Sequence, residues 1–357
     1  MIGIELKSAH MMIKEIFEEP QAIEAFLAEG FIQVEQIADR INSKEYEMVY
    51  LTGSGTSYHA GLAAQYALSA LTRFVTSLIP ASELPYWIPS KPTKKSLLIA
   101  VSQSGESSDV LAAAKAASEK GIDILAVTNT RNSSLMKISD YTLLTRAGQE
   151  RAVTATKSHI TQLMALFSLS AQLSEKDREA ASLRKQLFGA PKLISETIKS
   201  VNDGVRRLAD EYRRQNFFFL LGSGPNYATA LEGALKLKEA CNVYAEGFAS
   251  REFLHGPMQL VDKRTSLFFL LNENQVDSVL NEIKGMRGFG ASVFSICDKK
   301  DERLRESSNE VITVPGGFPK VFSSLIYIIP LQLFAYYSSV ARGLNPDKPD
   351  KLSKVVR

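Results

Sequence analysis

Hydroxyl-bearing side chains cluster at two places that each follow a short apolar run. Thr56 and Ser57 follow Met48-Val-Tyr-Leu51, and the segment Ser102-Gln103-Ser104-Gly105-Glu106-Ser107 follows Ser96-Leu-Leu-Ile-Ala-Val101. Hydroxyls and the free N–H groups of a helix start can together bind a dianion without many lysines. The same hydroxyls could act only as helix N-caps, which Ser and Thr favour. Because two such segments occur at strand ends, we favour a phosphate-binding site.

Three charged side chains recur at helical spacing further along the chain. Glu232, Lys236 and Glu239 lie at i, i+4 and i+7, so they share one face of a helix. An exposed helix with an ordinary surface ion pair has the same spacing. A carboxylate partly removed from water can instead act as a general base on a carbon-bound proton. The spacing alone leaves both interpretations open.

The segment that follows this helix adds a second candidate for proton transfer. His255, one of four histidines, is preceded by Glu246 and Glu252 and followed by a Gly-Pro turn. Histidine carries protons near neutral pH, which suits an acid–base step separate from that of the carboxylate. A buried turn residue would fit the same position. Taken with the charged helix, the histidine favours a catalytic interpretation.

Alternating strands and helices must position these side chains. Apolar runs lead through glycine- or hydroxyl-rich turns into Ala- and Leu-rich helical stretches, a pattern that predicts an α/β fold with parallel sheets flanked by helices. Helical stretches are expected near 11–41 and, with an interruption at Gly189-Ala-Pro191, near 158–208. The predicted strands are 48–51, 96–101, 123–127, 217–221, 266–271 and 291–296.

The pattern occurs twice, which indicates a tandem duplication of one α/β domain. Gly53-Ser-Gly recurs as Gly222-Ser-Gly, 169 residues later when counted from Gly53 to Gly222. We expect an N-terminal helical segment at 1–45, domains at 46–190 and 191–340, and a C-terminal tail at 341–357 that closes the site. Where the first half has its hydroxyl-rich loop, the second has Asn272-Glu-Asn-Gln275, so the two halves are expected to have divided their roles.

Composition and motifs exclude several classes of function. The 357 residues are 45% hydrophobic and 23% charged with a net charge of +3, which is too weakly basic for nucleic-acid binding. Neither glycine turn has the spacing of a dinucleotide fingerprint or a P-loop. The two cysteines have no metal-ligand spacing, and we expect no metal or other cofactor. No signal peptide is recognisable, and 325–337 is too short to span a bilayer, so a cytoplasmic protein with a buried apolar helix is expected.

These segments resemble the sugar isomerase (SIS) family over nearly the whole chain, with particular likeness to the isomerase half of glucosamine-6-phosphate synthases. The resemblance implies two flavodoxin-like SIS domains, a homodimer and a sugar-phosphate substrate. The stretches that carry it are Gly55-Thr-Ser57, Ser102 to Ser107, Thr156-Lys157, Glu232 to Glu239, Glu246, Glu252, His255-Gly-Pro257 and Lys351-Leu-Ser-Lys354.

The resemblance also implies roles for individual residues. Glu239 matches the base that moves a proton between C1 and C2, with Glu232 and Lys236 in support. His255 matches the ring-opening residue, which the family supplies from the neighbouring subunit. Lys354 matches a tail lysine that forms an imine with the sugar carbonyl; without the resemblance it is an ordinary solvated lysine. The residues that match the family's phosphate ligands are Thr56, Ser57, Ser102, Gln103, Ser104 and Ser107.

Departures from the synthases refine the expected activity. Ile2 stands where a glutaminase domain would have its cysteine, so no glutaminase domain is expected. Ser54 replaces a cysteine of the synthases, and Ala155 replaces a hydroxyl residue. The replacement at Ala155 weakens the argument that the sugar pocket is identical to theirs. We therefore expect a glucosamine-6-phosphate deaminase, or an ammonia-dependent synthase by the reverse reaction. The alternatives are a galactosamine- or fructosamine-phosphate enzyme and a non-catalytic sugar-phosphate sensor.

Overall fold

A computed structural model describes residues 10–92, 95–175 and 177–355. The chain divides into two compact units. The first-sheet unit comprises Glu18–Glu150, Ala155–Pro191 and residues 353–355. The second-sheet unit comprises residues 10–17, Arg151–Thr154 and Lys192–Leu352. The domain boundaries predicted above stay predictions.

Helices and strands alternate through the first half of the chain. In chain order the elements are α1 (Met11–Phe17), α2 (Glu19–Lys44), β1 (Met48–Thr52), α3 (Thr56–Leu71), β2 (Val75–Leu78), α4 (Leu84–Trp87), β3 (Ser96–Val101), α5 (Ser108–Glu119), β4 (Asp123–Thr128), α6 (Ser134–Lys137), β5 (Tyr141–Leu144), α7 (Lys157–Gln172) and α8 (Asp177–Phe188). The long helix expected over 11–41 is thus two helices, α1 and α2.

The sheet of the first-sheet unit has five parallel strands in the order β2-β1-β3-β4-β5. Every residue of β3 is buried, as expected for a central parallel strand covered on both faces. Helix α7 is buried along almost its whole length and packs against α2 and α3. The carboxyl ends of the neighbouring strands β1 and β3 open into the glycine turn and the hydroxyl-rich loop.

The same alternation returns in the second half. Its elements are α9 (Ala190–Glu211), β6 (Phe217–Gly222), α10 (Pro225–Cys241), β7 (Tyr244–Ala249), two 3₁₀ turns (Glu252–His255 and Pro257–Leu260), β8 (Thr265–Leu271), a 3₁₀ turn (Glu273–Gln275), α11 (Val276–Gly288), β9 (Ser292–Cys297), α12 (Glu302–Ser307), β10 (Glu310–Thr313), a 3₁₀ turn (Lys320–Phe322) and α13 (Ser324–Ala341).

The second sheet repeats the topology of the first. Its five parallel strands run in the order β7-β6-β8-β9-β10, so each strand has its counterpart at the same place in the first sheet. The order is that of flavodoxin-like folds. The predicted α/β class with two tandem domains is therefore confirmed. All six predicted strands are present, whereas β2, β5, β7 and β10 were not predicted.

Helix α13 forms part of the core of the second-sheet unit. The segment Lys320–Ala341 is long and apolar enough to cross a membrane by composition, but 89% of its most apolar window is buried inside the fold. Leu331 of this helix approaches Gly233 of α10 so closely that a Cβ on Gly233 would lie 2.5 Å from its side chain. The apolar stretch is therefore a buried helix, as the sequence predicts.

The tail after α13 is tied to α1 by a single carboxylate. Asp347 accepts hydrogen bonds from the backbone amides of Met11 (2.7 Å) and Met12 (2.8 Å), and its carbonyl oxygen accepts one from the amide of Val153. The first amides of a helix have no partner inside it. Asp347 thus caps α1 from a distant part of the chain.

We predict that Asp347→Ala destabilises the second-sheet unit by about 1–3 kcal/mol, because two helix amides lose their acceptor. Denaturant unfolding followed by circular dichroism measures the effect. Asp350→Ala, at an exposed position in the same tail, is the matched control. Equal changes in the free energy of unfolding of the two variants would show that Asp347 does not stabilise the fold by capping α1.

Candidate functional site

The hydroxyl-rich loop after β3 is held by its own side chains. Ser102 Oγ accepts a hydrogen bond from the amide of Gly105, and Ser104 Oγ accepts one from the amide of Glu106, each at 3.1 Å. The carboxylate of Glu106 in turn accepts from the amide of Ser134 (2.8 Å). These bonds fix the loop while leaving the hydroxyl hydrogens of Ser102 and Ser104 free to rotate toward another acceptor.

Glycine is required at the centre of this loop. Gly105 has φ +64°, and a Cβ there would lie 2.3 Å from Ser133 Oγ. Its carbonyl oxygen accepts from the amide of Leu135 at 3.0 Å. The loop therefore passes close to the start of α6 in a conformation that only glycine adopts without strain. Gln103 anchors it from the other side, since its carbonyl oxygen accepts from the amide of Asn129 at 3.1 Å.

The glycine turn after β1 brings two more candidate residues to the neighbouring strand end. Gly55 is the N-cap of α3, with φ +54°, and Thr56 and Ser57 form the first turn of the helix. A Cβ on Gly53 would lie 2.8 Å from the backbone of Ser57, so strand and helix are tightly joined. The buried Ser57 hydroxyl accepts from Gln162 Nε2 at 3.0 Å, which sets its orientation.

The hydroxyls are not explained by helix capping. The N-cap of α3 is Gly55, and Ser107, the N-cap of α5, makes no side-chain cap bond within the part of the chain that the structure describes. The amides of the first turn of α5 thus lack a side-chain acceptor from Ser107. Such amides carry the positive end of the helix dipole and favour an anion. Loop and helix start together have the chemistry of a phosphate site.

The charged helix face is buried, which the spacing alone could not decide. On α10, Lys236 Nζ lies 3.1 Å from a carboxylate oxygen of Glu232 and 2.8 Å from one of Glu239. The side chains of Glu232 and Lys236 are 1% exposed, and that of Glu239 is 19% exposed. The contact with Glu239 is an ion pair. An ordinary surface pair is therefore excluded.

Two carboxylates keep the buried lysine charged. Burial alone lowers the pKa of Lys236, but the carboxylates of Glu232 and Glu239 outweigh it and hold that pKa above its usual value. The three groups carry a net charge of about −1 when all are ionised. Glu239 is the member of this charged triad that reaches the surface, so its carboxylate is the one a small molecule can approach.

A pocket of about 330 Å³ lies beside Glu239. Its walls are the last turns of α10, including Leu235, and tail residues between 344 and 352. The other charged residues of its lining are Lys238, Lys348, Asp350 and Lys351, so both signs of charge surround the candidate base. The tail, predicted to close the site, thus forms one wall of a space that gives access to Glu239.

His255 is presented to solvent by a buried neighbour. It ends the 3₁₀ turn Glu252–His255 and is exposed. Phe253, in the same turn, is fully buried and packs against Phe219 and Phe248, with ring centroids 5.0 and 5.4 Å away. The buried Phe253 therefore holds the turn against the core, while His255 is exposed. The alternative interpretation of His255 as a buried turn residue is excluded.

The tail lysine has a buried partner in the first-sheet unit. Lys354 Nζ lies 2.5 Å from Glu150 Oε2; the lysine side chain is 25% exposed and that of Glu150 is 0% exposed. Burial alone raises the pKa of Glu150, but the Lys354 ammonium and hydrogen bonds from Ser158 outweigh it, so this pKa lies below its usual value. Lys354 is thus not an ordinary solvated lysine.

The sequence reasoning missed Glu150. Its segment, Gly148-Gln-Glu-Arg151, has no hydroxyl-rich turn or helical charge spacing, and its partner lies 204 residues away. The available signal was its position shortly before Thr156-Lys157. The structure gathers Glu232, Lys236 and Glu239 on one helix in the second-sheet unit, and the hydroxyl residues and Lys354 in the first-sheet unit. In the described part of the chain, no group of three or more His, Cys, Asp or Glu side chains could hold a metal ion.

Comparison with known proteins identifies the family of the chain. The family model for the SIS domain matches residues 44–170 and 211–342. The glutamine–fructose-6-phosphate aminotransferase (isomerizing) of Pyrococcus horikoshii is 36% identical over 349 residues, or 97% of this chain. The chain spans 57% of the length of that relative.

Two solved structures extend the comparison. The C-terminal domain of glucosamine-fructose-6-phosphate aminotransferase from Francisella tularensis is 27% identical, with a TM-score of 0.86 over 95% of this chain and 98% of that one. Glucosamine-6-phosphate deaminase from Thermotoga maritima, 22% identical, has the same fold, with a TM-score of 0.76 over 97% of this chain and 99% of that one. The chain therefore belongs to the SIS domain family and contains two copies of the domain.

Proposed function

We propose that this protein is an enzyme that interconverts glucosamine 6-phosphate and water with fructose 6-phosphate and ammonia. The observation that carries the proposal is the charged triad on α10, in which the buried Lys236 holds Glu239 beside a pocket while Glu232 remains inside. A buried ion network is costly, and placing its one exposed carboxylate at a pocket is typical of a catalytic site.

The substrate phosphate is proposed to bind at the ends of β1 and β3. Support comes from the rotatable hydroxyls of Ser102 and Ser104, and from the start of α5, where Ser107 supplies no side-chain cap. Thr56, Ser57 and Gln103 complete the proposed set. Because neutral donors surround the phosphate, its two charges are balanced by the helix dipole more than by lysines.

Glu239 is proposed to carry the proton in the isomerisation. In deamination, it removes the C2 proton of open-chain glucosamine 6-phosphate and returns a proton to C1, which turns the aldehyde and amine into an imine at C2. The nitrogen of this imine is then released as ammonia by way of Lys354, giving fructose 6-phosphate. Glu232 and Lys236 support this step by fixing the charge and orientation of Glu239.

Lys354 is proposed to exchange nitrogen at C2. The Lys354 ammonium first loses a proton to water, and the amine that results adds to the C2 imine while ammonia leaves. Water then hydrolyses the lysine imine and restores the amine. Plain isomerisation of a sugar phosphate needs no such exchange, so the lysine favours amino-sugar chemistry. The resemblance to proteins named aminotransferase points the same way.

The protein is proposed to act as a homodimer in which His255 opens the sugar ring in the partner's site. The exposure of His255 on a well-anchored turn supports this role. The buried, free Cys241 and Cys297 are in keeping with the reducing cytoplasm that we propose as its compartment.

Product analysis tests the proposal. Purified protein is given glucosamine 6-phosphate, and ammonia and fructose 6-phosphate are measured; fructose 6-phosphate is then given with ammonia and, separately, with glutamine. Equal amounts of ammonia and fructose 6-phosphate support the deaminase. Turnover of galactosamine or fructosamine phosphate alone supports the alternative enzymes. Binding of glucosamine 6-phosphate without conversion of any of these sugars supports the sensor and overturns the enzymatic proposal.

We predict that Glu239→Gln lowers kcat by roughly 10²–10⁴-fold, the usual range for loss of a general base. Binding of the sugar phosphate should remain largely intact, since the phosphate residues are unchanged. Coupled assays of ammonia release and calorimetric binding measure the two effects. Glu310→Gln, an exposed glutamate on β10, is the control, and equal activity in Glu239→Gln and wild type would remove Glu239 from the mechanism.

We predict that Lys354→Met reduces ammonia release by at least about tenfold more than it reduces conversion of fructose 6-phosphate to glucose 6-phosphate. Borohydride reduction with fructose 6-phosphate should attach the sugar to Lys354 of the wild type, as peptide mass spectrometry detects. Lys185→Met, at an exposed position on α8 of the same unit, is the control. Unchanged ammonia release after loss of Lys354 would contradict the exchange step.

We predict that inactive Glu239→Gln and His255→Ala proteins regain activity when they are mixed, dissociated and reassociated. A mixed dimer has one site with both native residues, so about a quarter of wild-type activity is expected from random pairing. Size-exclusion chromatography establishes the oligomeric state of each sample. No recovery in a mixed dimer would show that Glu239 and His255 do not act across subunits.

A further inference from the structure

Glu150 is surrounded by donors that fall into two sets. Its Oε1 accepts hydrogen bonds from the backbone amides of Thr156 and Ser158, both at 2.9 Å. Its Oε2 accepts from Ser158 Oγ at 2.6 Å and from Lys354 Nζ at 2.5 Å. One oxygen therefore orders the start of α7, and the other receives the tail lysine.

A fully buried carboxylate needs several donors because burial removes its hydration. Ser158 and the backbone supply three of them, and none of these carries a charge. Lys354 supplies the one formal positive charge in direct contact with Glu150 among the described residues. The lysine is therefore the group that compensates the charge of Glu150, and the buried carboxylate is a fixed acceptor for the end of the lysine side chain.

We propose that Glu150 is the positioning residue of the tail lysine, holding Lys354 Nζ in place for the nitrogen exchange. The inference rests on the proposed function, since it assigns a role toward the lysine that this function uses. Glu150 is buried and acts on the substrate only through Lys354. A long lysine side chain explores many rotamers, and one strong acceptor at its end removes most of that freedom before substrate arrives.

The variant Glu150→Gln keeps the hydrogen bonds at the start of α7 but removes the acceptor for Lys354. The amide oxygen can still accept from the backbone of Thr156 and Ser158, and the Ser158 hydroxyl can rotate to accept from the amide nitrogen. Lys354 then faces a donor in place of an acceptor. The matched control is Ser158→Ala, which removes the hydroxyl bond to Oε2 but leaves the ion pair with Lys354.

Lysine labelling tests the positioning without any assay of turnover. Each protein is acetylated with limiting acetic anhydride at pH 8, and the rate at Lys354 is read by peptide mass spectrometry against the exposed Lys351 of the same molecule. We expect Lys354 to react more slowly than Lys351 in the wild type and roughly tenfold faster in Glu150→Gln, with little change in Ser158→Ala. A Lys354 rate that is equal in wild type and Glu150→Gln overturns the proposal.

Activity then separates positioning from a purely structural role. Glu150→Gln should lower ammonia release as Lys354→Met does, largely in kcat, and the double variant should be no worse than Lys354→Met alone. Additive losses would mean that Glu150 acts through the fold and not through Lys354. If the wild type releases no ammonia, the proposed function fails, whereas the labelling result still decides whether Glu150 holds the lysine.

Thermal unfolding shows whether Glu150→Gln folds. If it does not, Glu150→Asp is used in its place. It keeps the buried anion but shortens the side chain by one methylene, so the contact with Lys354 is stretched. We expect labelling of Lys354 several-fold faster than in the wild type. An unchanged rate in this variant also overturns the proposal.

Discussion

The buried ammonium of Lys236 is the constraint on which the candidate site depends. An ion removed from water costs several kcal/mol unless partners compensate it, and here two carboxylates of the same helix do so. Glu232 is buried with the lysine and has no access to a ligand, which leaves Glu239 as the outward member. The close packing of Gly233 against Leu331 of α13 fixes the helix, so the exposed carboxylate is held at a defined place.

The duplicated fold explains how two halves with one topology came to differ in chemistry. After β8, the side chains of Asn272 and Gln275 form a capping box that satisfies the backbone donors of the turn. After β3, the corresponding loop contains Gly105 at positive φ and ends at Ser107, which supplies no side-chain cap to α5. The turn of the second half is thus capped by its own side chains, whereas the start of α5 in the first half has no side-chain cap from Ser107.

The sequence predicted those features that arise from local patterns. Central strands such as β3 have uninterrupted apolar runs because they are covered on both faces, so periodicity identifies them. The edge strands β2 and β7 are partly exposed. Strand β2 has only 4 residues, and β7 contains Glu246 and Gly247, so neither has the apolar run by which a central strand is recognised. The i, i+4, i+7 spacing of α10 placed its charges on one face, but only tertiary packing decided that this face is buried.

The two lysines of the candidate site show why contacts between distant parts of the chain were not predicted. Their partners differ in number, in burial and in distance along the chain. Lys236 has two carboxylates within one helix and no exposure, so its charge is fixed for structural reasons. Lys354 pairs with a carboxylate 204 residues away, that of Glu150, and remains a quarter exposed. The Lys354 ammonium and the hydrogen bonds from Ser158 hold the pKa of Glu150 below its usual value. The stability that Glu150 contributes is therefore complete above the pKa of the unfolded carboxyl and is lost only as the pH falls through the pKa of the folded one. Near neutral pH the carboxylate is therefore a constant anchor. Loss of this ion pair near neutral pH therefore requires a change at Lys354, because protonation of Glu150 does not break it there.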